Sequence, residues 1–203
     1  LILACNGYGA NKELVTKYIP EMSDALYFGH SGNQGHAVLW GEQLNAKIKH
    51  MSGYHGHGSV ATPHGILITW ALMMEGGIQV NQKGCRFSNE NEGYSEQSVH
   101  VLAQPGQVAW AIYDEKLHSL GKKFPDYIQA FKSGAIKIGK NADDLADIIG
   151  IDRDGFNKTL HDVEYYTRKE KLDPFGRKFK RELDSENKLF GIKVTGALFH
   201  TQG

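Results

Sequence analysis

Two glycine-rich turns near the start of the chain, each opening a helical stretch, and one strand-like segment near its end constrain the fold most. In "LILACNGYG" an apolar run enters a turn, and "NKELVTKYI" follows with Asn11 placed as a helix N-cap. The Asn side-chain oxygen suits that position because it accepts from an unpaired N–H of the first turn. "GHSGNQGHAVLWGEQLNAKI" repeats the order, with a loop from Gly29 to Gly35 and then a helix whose Val38, Leu39 and Leu44 lie on one side. "LFGIKVTG" reads as a strand returning to the first sheet. Strand, turn and helix in succession is α/β wiring, and a return to the first sheet makes the intervening chain, roughly Gln79 to Arg181, a mixed α+β insertion.

Within the insertion, "IQVNQKGCRF" has a strand-turn-strand pattern and "QVAWAIYDE" alternates as a strand. Helical periodicity dominates from about Asp114 to Glu170. Two helices are expected on either side of "GIDRD", with Asp152 as N-cap and Phe156, Leu160 and Val163 facing inward. "DPFGRKFKRELDSENK" reads as a polar connector.

Composition narrows the partners. With 23 Lys plus Arg against 23 Asp plus Glu, scattered rather than blocked, electrostatics gives no case for nucleic acid or an anionic membrane, which leaves a small molecule or a protein. The apolar stretch Ile66 to Met74 is far short of the roughly 20 residues of a membrane span. Cys5 and Cys85 form no CxxC pair and fit reduced thiols in a cytoplasmic setting, with a single disulfide left open. The chain opens inside an apolar run without an initiator Met and is expected to be a central segment of a longer protein.

Ten histidines raise the question of a metal, but "YHGHG" and "TPHG" lack HExxH spacing and a neighbouring carboxylate, so no metal site is expected. No GxSxG elbow marks a serine nucleophile. His57 is open to two readings: a histidine bonded to backbone, or a ligand for a substrate oxygen. The Gly29–Gly35 loop suits close approach to a phosphate or a flexible ligand, or is an ordinary helix entry. The polar stretch "GCRFSNENEGYSEQS", Gly84 to Ser98, is open in the same way between a solvated loop and a catalytic one.

Taken as a series, "LILACNGYGANKELV", "GNQGHAVLWGEQLNA", "GGIQVNQKGCRFSNE", "DPFGR" and "GALFHTQG" resemble the flavoprotein subunit family of fumarate reductases and succinate dehydrogenases. That family includes flavocytochrome fumarate reductases, 3-ketosteroid dehydrogenases and tricarballylate dehydrogenases. The resemblance implies a Rossmann-like FAD-binding domain split in sequence by a capping domain. It assigns residues 1–78 to the tail of the FAD domain, 79–181 to the cap and 182–203 to the return. The phosphate-cradling GxGxxG of the family lies outside this stretch, so the segment alone is expected to hold FAD poorly and to be inactive.

The resemblance also distributes roles. Asn6 and Gly7 fall in the turn where backbone approaches the cofactor, His36 at a flavin-facing Asp of the family, and His200 and Thr201 in the return motif against the flavin. His57 and Thr69 fall on substrate-binding positions. Trp70 stands at a family Glu, Tyr94 at the proton-donating Arg, and Phe199 at a further substrate His. An Arg offers a fixed fork of donors to a carboxylate, whereas Trp, Tyr and Phe offer apolar area and one hydroxyl, so a flatter, less charged substrate is expected. A Tyr at the proton-transfer position is similar to that of 3-ketosteroid dehydrogenases. A phenol that titrates near 10 needs neighbours to tune it, and Glu90, Glu92 and Glu96 are near in sequence. Two alternatives remain: a dicarboxylate reductase with its charge relocated to Arg86 or to a residue outside the segment, and a non-catalytic module. The electron-transfer partner is left unassigned.

Overall fold

The computed structural model describes residues 2–202; Leu1 and Gly203, which end the expected first strand and the return motif, lie outside the described residues. In chain order the elements are α1 (Lys12–Tyr18), β1 (Leu26–Tyr27), α2 (His36–Gln43), β2 (Tyr54–Ala61), β3 (Ile66–Leu67), α3 (Ala71–Met74), β4 (Ile78–Val80), α4 (Tyr94–Leu102), β5 (Val108–Asp114), α5 (Glu115–Gly121), α6 (Pro125–Lys132), β6 (Ile136–Gly139), α7 (Ala142–Ile149), α8 (Arg153–Thr167) and β7 (Leu189–Thr201). Helices pack on one largely antiparallel seven-stranded sheet whose path runs β3-β2-β7-β5-β4.

The thirteen-residue strand β7 organises this sheet. Its first half lies between β5 and β6, so that Ile192 is opposite Ala111 on one edge and Ile136 on the other. Its second half pairs antiparallel with β2 and parallel with the short β1, which puts Leu198 beside Tyr27. One strand thereby serves two apolar clusters. The larger holds buried residues from Ala61 to Val194, including Phe156, Leu160 and Val163 on the inner face of α8; the smaller gathers Tyr8, Leu14, Val15, Ile19, Met22, Val38, Met51 and Leu198.

Local signals start the helices where expected. Asn11 Oδ1 accepts from Leu14 N at 3.1 Å and Asp152 Oδ1 from Gly155 N at 2.7 Å, and Asp114 and Asn141 cap α5 and α7 in the same way. Each such cap stabilises its helix by about 1 kcal/mol.

Several expectations are corrected. Residues 2–5 form no strand: Ile2 is 91% and Leu3 55% exposed, and no ladder pairs them among the described residues. Leu44 lies past the end of α2 and is 75% exposed, so only Val38 and Leu39 pack inward. In "IQVNQKGCRF" the first strand forms as β4, but after the Asn81–Gly84 turn the chain does not return as a strand, because Arg86 is drawn into a buried ion cluster. "IKIG" within the helical region is β6, a local apolar alternation too short to stand out there. The connector after α8 carries no regular element, yet it is not wholly solvated: the side chains of Asp173 and Arg177 are 1% and 2% exposed. Both cysteines are free thiols. No helix among the described residues is long and apolar enough to cross a membrane.

Candidate active site

The alternation in "YHGHGSV" builds the site. Along β2, glycines at 56 and 58 leave room for α4 to lie directly on the strand; a Cβ on Gly58 would fall 2.7 Å from the Gln97 carbonyl carbon. The intervening histidines go to a set of rings. His57 is sandwiched, with Tyr94 stacked on it at 5.0 Å between centroids and Phe199 at 5.6 Å. Phe28 extends the stack beyond Phe199 at 5.0 Å. His55 stands edge-on to Tyr94 at 5.2 Å and parallel to His200 at 6.0 Å. Register shifts in the β2–β7 ladder between His55 and Gly56 and again between His57 and Val60 interrupt the regular alternation here, as bulges beside functional sites do.

Tyr94 is not at the tip of a loop. It is the first residue of α4 and 39% exposed, and the preceding Gly93 takes an extended left-handed φ of 140°. Trp70 meets His57 edge to face at 5.9 Å, and Thr69 Oγ1 accepts from Ala71 N at 3.3 Å at the start of α3. The sequence-assigned residues Trp70, Tyr94 and Phe199 therefore all meet at His57, with Thr69 next to Trp70.

At the centre of the group His57 is neutral. Burial, reinforced by the neighbouring His55, pushes the His57 imidazole down to about 4, so it carries no charge at neutral pH. Ser59 N donates to His57 Nδ1 at 3.1 Å, which leaves the proton of the neutral ring on Nε2 as a hydrogen-bond donor. Trp70 Nε1 is a second donor: it is buried and has no hydrogen-bond partner among the described residues. A buried N–H without an acceptor costs free energy, so an oxygen bound there would restore what folding leaves unmet. The cation–π contacts among the described residues fall elsewhere, on Tyr18, Tyr165, Phe175 and Phe179.

Arg86 cannot supply the missing charge. Its guanidinium forks onto Glu90 at 2.9 and 2.7 Å and reaches Asp173 at 2.6 Å, while Arg177 binds Glu90 at 3.0 Å. Burial alone would lower the Arg86 pKa, but Glu90 and Asp173 outweigh it and raise it; burial likewise opposes ionisation of Glu90, and Arg86 and Arg177 reverse that and lower its pKa. Arg86 is thus no free clamp for a dicarboxylate, because its charge is already paired inside the protein. The glutamates near Tyr94 are engaged as well: Glu90 in the cluster and Glu92 beside His100 at 3.6 Å, while the Glu96 carboxylate lies against Gly93.

The cofactor candidates also converge. Gly35 N donates to Gly7 O at 3.2 Å, and Tyr8 N to Thr201 Oγ1 at 2.7 Å, so the turn at Asn6–Gly7, the entry to α2 at His36 and the return at His200–Thr201 share one patch. A side chain at Gly7 would collide with Thr201, its Cβ falling 2.5 Å from the carbonyl oxygen, so only glycine permits this approach. Asn6, His36 and His200 present exposed amide and imidazole groups around it. Backbone edges with neutral donors and acceptors suit the carbonyl and N–H rim of an isoalloxazine ring, and the patch fits FAD in that respect. A cavity of about 660 Å³ lies alongside, lined by Gly9, Lys12, Asp24, Tyr27, Gly29 and Gln34; it belongs to these loops and not to the ring stack.

Phe28, His55 and Ser59 escaped the sequence reading. His55 was marked by the His-x-His spacing on a strand, whereas Phe28 carries no local signal and is brought to Phe199 by the bond from its own N–H to Leu198 O at 2.8 Å.

The fold and the paired patches define a flavoprotein domain. The FAD binding domain family matches residues 1–203, and the chain belongs to it. It is 29% identical over 203 residues to "Probable fumarate reductase Ifc3" of Shewanella frigidimarina (strain NCIMB 400), covering 100% of this chain and 34% of that protein. A more distant match, 25% identical over 190 residues, is to 3-oxosteroid 1-dehydrogenase of Mycobacterium tuberculosis (strain ATCC 25618 / H37Rv), covering 83% of this chain and 33% of that one. Among solved structures it is similar to the open conformation of a flavocytochrome c3 fumarate reductase, with a TM-score of 0.80 and 28% identity over 98% of this chain and 35% of the other. The chain spans about a third of the length of the curated relatives it matches. FAD is the cofactor of the family, and the relatives are reductases and dehydrogenases.

Proposed function

We propose that the intact protein is an FAD-dependent oxidoreductase acting on a C–C bond beside a carbonyl, with Tyr94 as the group that gives or takes the proton. The observation that carries this reading is a pair of neutral donors at the ring on which Tyr94 stacks: His57 Nε2–H, set by the Ser59 bond, and, from the indole edge-on to that ring, Trp70 Nε1–H, which has no acceptor among the described residues. Two neutral N–H groups suit a carbonyl oxygen that gains negative charge as the reaction proceeds, and they suit a dianion poorly. Bound FAD would supply the hydride chemistry, held by Asn6, Gly7, His36, His200 and Thr201. Phe199 and Phe28 would present apolar faces to a flat substrate, and the Thr69 hydroxyl would offer one further bond. In this reading residues 79–181 form the cap and 1–78 with 182–203 the FAD side, although the larger apolar cluster runs across both bounds, taking in Ala61 to Ile78 and Leu183 to Val194.

The names of the relatives point in two directions, fumarate reductases and a 3-oxosteroid dehydrogenase. The paired state of Arg86 favours the second. A substrate screen on the intact protein decides: turnover of a cyclic enone or ketone without turnover of fumarate or succinate supports the proposal, and the opposite pattern overturns it.

A further inference from the structure

We propose that Gln79 and Gln97 are positioning residues: a buried amide pair that latches the first turn of α4 to β2 and so holds Tyr94 over His57. The inference rests on the reading of Tyr94 as the proton-transfer group. Both glutamines are fully buried, Gln79 at the centre of β4 and Gln97 three residues beyond Tyr94 on α4. Gln97 Nε2 donates to Gln79 Oε1 at 2.9 Å, and Gln97 Oε1 accepts from Ser88 Oγ at 2.9 Å. Gln79 Nε2 donates in turn to the carbonyl of Gly58, the residue after His57, at 2.8 Å, and its backbone N–H donates to Glu90 Oε1 at 3.1 Å. A continuous run of bonds thus joins the helix that carries Tyr94, the strand that carries His57 and the Arg86–Glu90 ion cluster.

Amides do here what apolar side chains would not. An apolar contact tolerates small slides and rotations of a helix, whereas directional bonds with every side-chain nitrogen and oxygen engaged admit one register. Tyr94 needs that support, because it sits at a half-exposed helix end and an offset-stacked contact with His57 is too weak to hold that end alone. Ser95 adds a bond from the same turn, its Oγ accepting from Gly56 N at 2.9 Å.

The test compares Tyr94→Phe, Gln97→Leu and the double variant Gln79→Leu/Gln97→Leu in the intact FAD-loaded protein, reading kcat, KM, melting temperature and the His57 titration by histidine-selective NMR. Replacing both partners leaves no orphaned amide but takes away the bonds to the Gly58 carbonyl and the Ser88 hydroxyl, so the double variant is expected to melt lower than the parent, and kcat and KM are read well below that melting temperature, where it is folded. Its kcat should nonetheless fall by about tenfold or more with KM nearly unchanged, as for a group needed in the transition state. The His57 midpoint should rise from about 4 toward the ordinary value of about 6.5 as Tyr94 swings away. A double variant with parental kcat and an unmoved His57 midpoint overturns the positioning role, and if Tyr94→Phe is inactive in the same experiment the proton-transfer reading survives that failure. Full activity of Tyr94→Phe removes both.

Discussion

Segment Gly84–Ser98 feeds two assemblies, one buried and one reaching the surface, that treat polarity in opposite ways. In one, Arg86 and Arg177 meet Glu90 and Asp173, so four formal charges cancel within a few ångströms. In the other, reached by Tyr94 only four residues after Glu90, Tyr94 and Phe199 stack on the neutral ring of His57, and one indole N–H is left without an acceptor among the described residues. The contrast separates strength from function. Fully paired charge makes rigid scaffolding and has nothing left to offer a ligand, whereas a neutral group with an unmet donor has unused binding capacity.

The sharpest attempt to break this contrast is at the charged end. Glu90→Ala leaves two buried guanidinium groups short of a partner and should destabilise the protein by roughly 3–5 kcal/mol in urea unfolding, as other broken buried pairs do. A loss below about 1 kcal/mol would mean that the cluster is not the scaffold described. At the neutral end, Tyr94→Phe keeps the ring and the stack but removes the hydroxyl, so stability should hold while kcat of the intact protein falls by about 10²–10⁴-fold. Equal loss of stability and rate would make Tyr94 a packing residue.

The two regions should also answer acid differently. The folded protein keeps His57 neutral down to about 4, whereas the unfolded chain takes up that proton near 6.5; stability therefore falls as pH drops from about 6.5 to 4, by on the order of 3 kcal/mol. His57→Leu should flatten that slope. Glu90, whose pKa is lowered, contributes stability that is present above the ordinary Glu value of about 4.3 and lost only on further acidification through its folded pKa. Unfolding free energies measured from pH 8 to 3 should resolve the two windows, and a single transition below 4 would contradict the burial of His57. The smallest effect is expected for Phe28→Ala, which removes the outermost ring of the stack: about 1 kcal/mol of stability, with a larger relative loss in affinity for a flat substrate than for a compact one.

Much of the framework was legible along the chain because its causes are local. Asn11, Asp152 and the apolar face of α8 act through neighbours three or four positions away, and the alternation of "QVAWAIYD" is a strand wherever it is placed. The failures have distant causes. "LILAC" has a strand's composition but finds no ladder among the described residues, and "CRF" resembles a strand until Arg86 meets carboxylates at positions 90 and 173.

The sequence by itself determined which residue types are on offer for a site: a Tyr at 94, a Trp at 70, a Phe at 199 and a His at 57. It determined helix starts and glycine turns for the same reason, since those depend on chemistry a few bonds apart. Only the tertiary structure decided what the residues do to one another. Arg86 became scaffold because Asp173 arrives from 87 residues away, Phe28 joined Phe199 through a parallel strand pair, and Gln79 met Gln97 across a sheet and a helix. Burial and ring contact depend on which surfaces are brought together, and that is set by the packing of the whole chain rather than by any stretch of it.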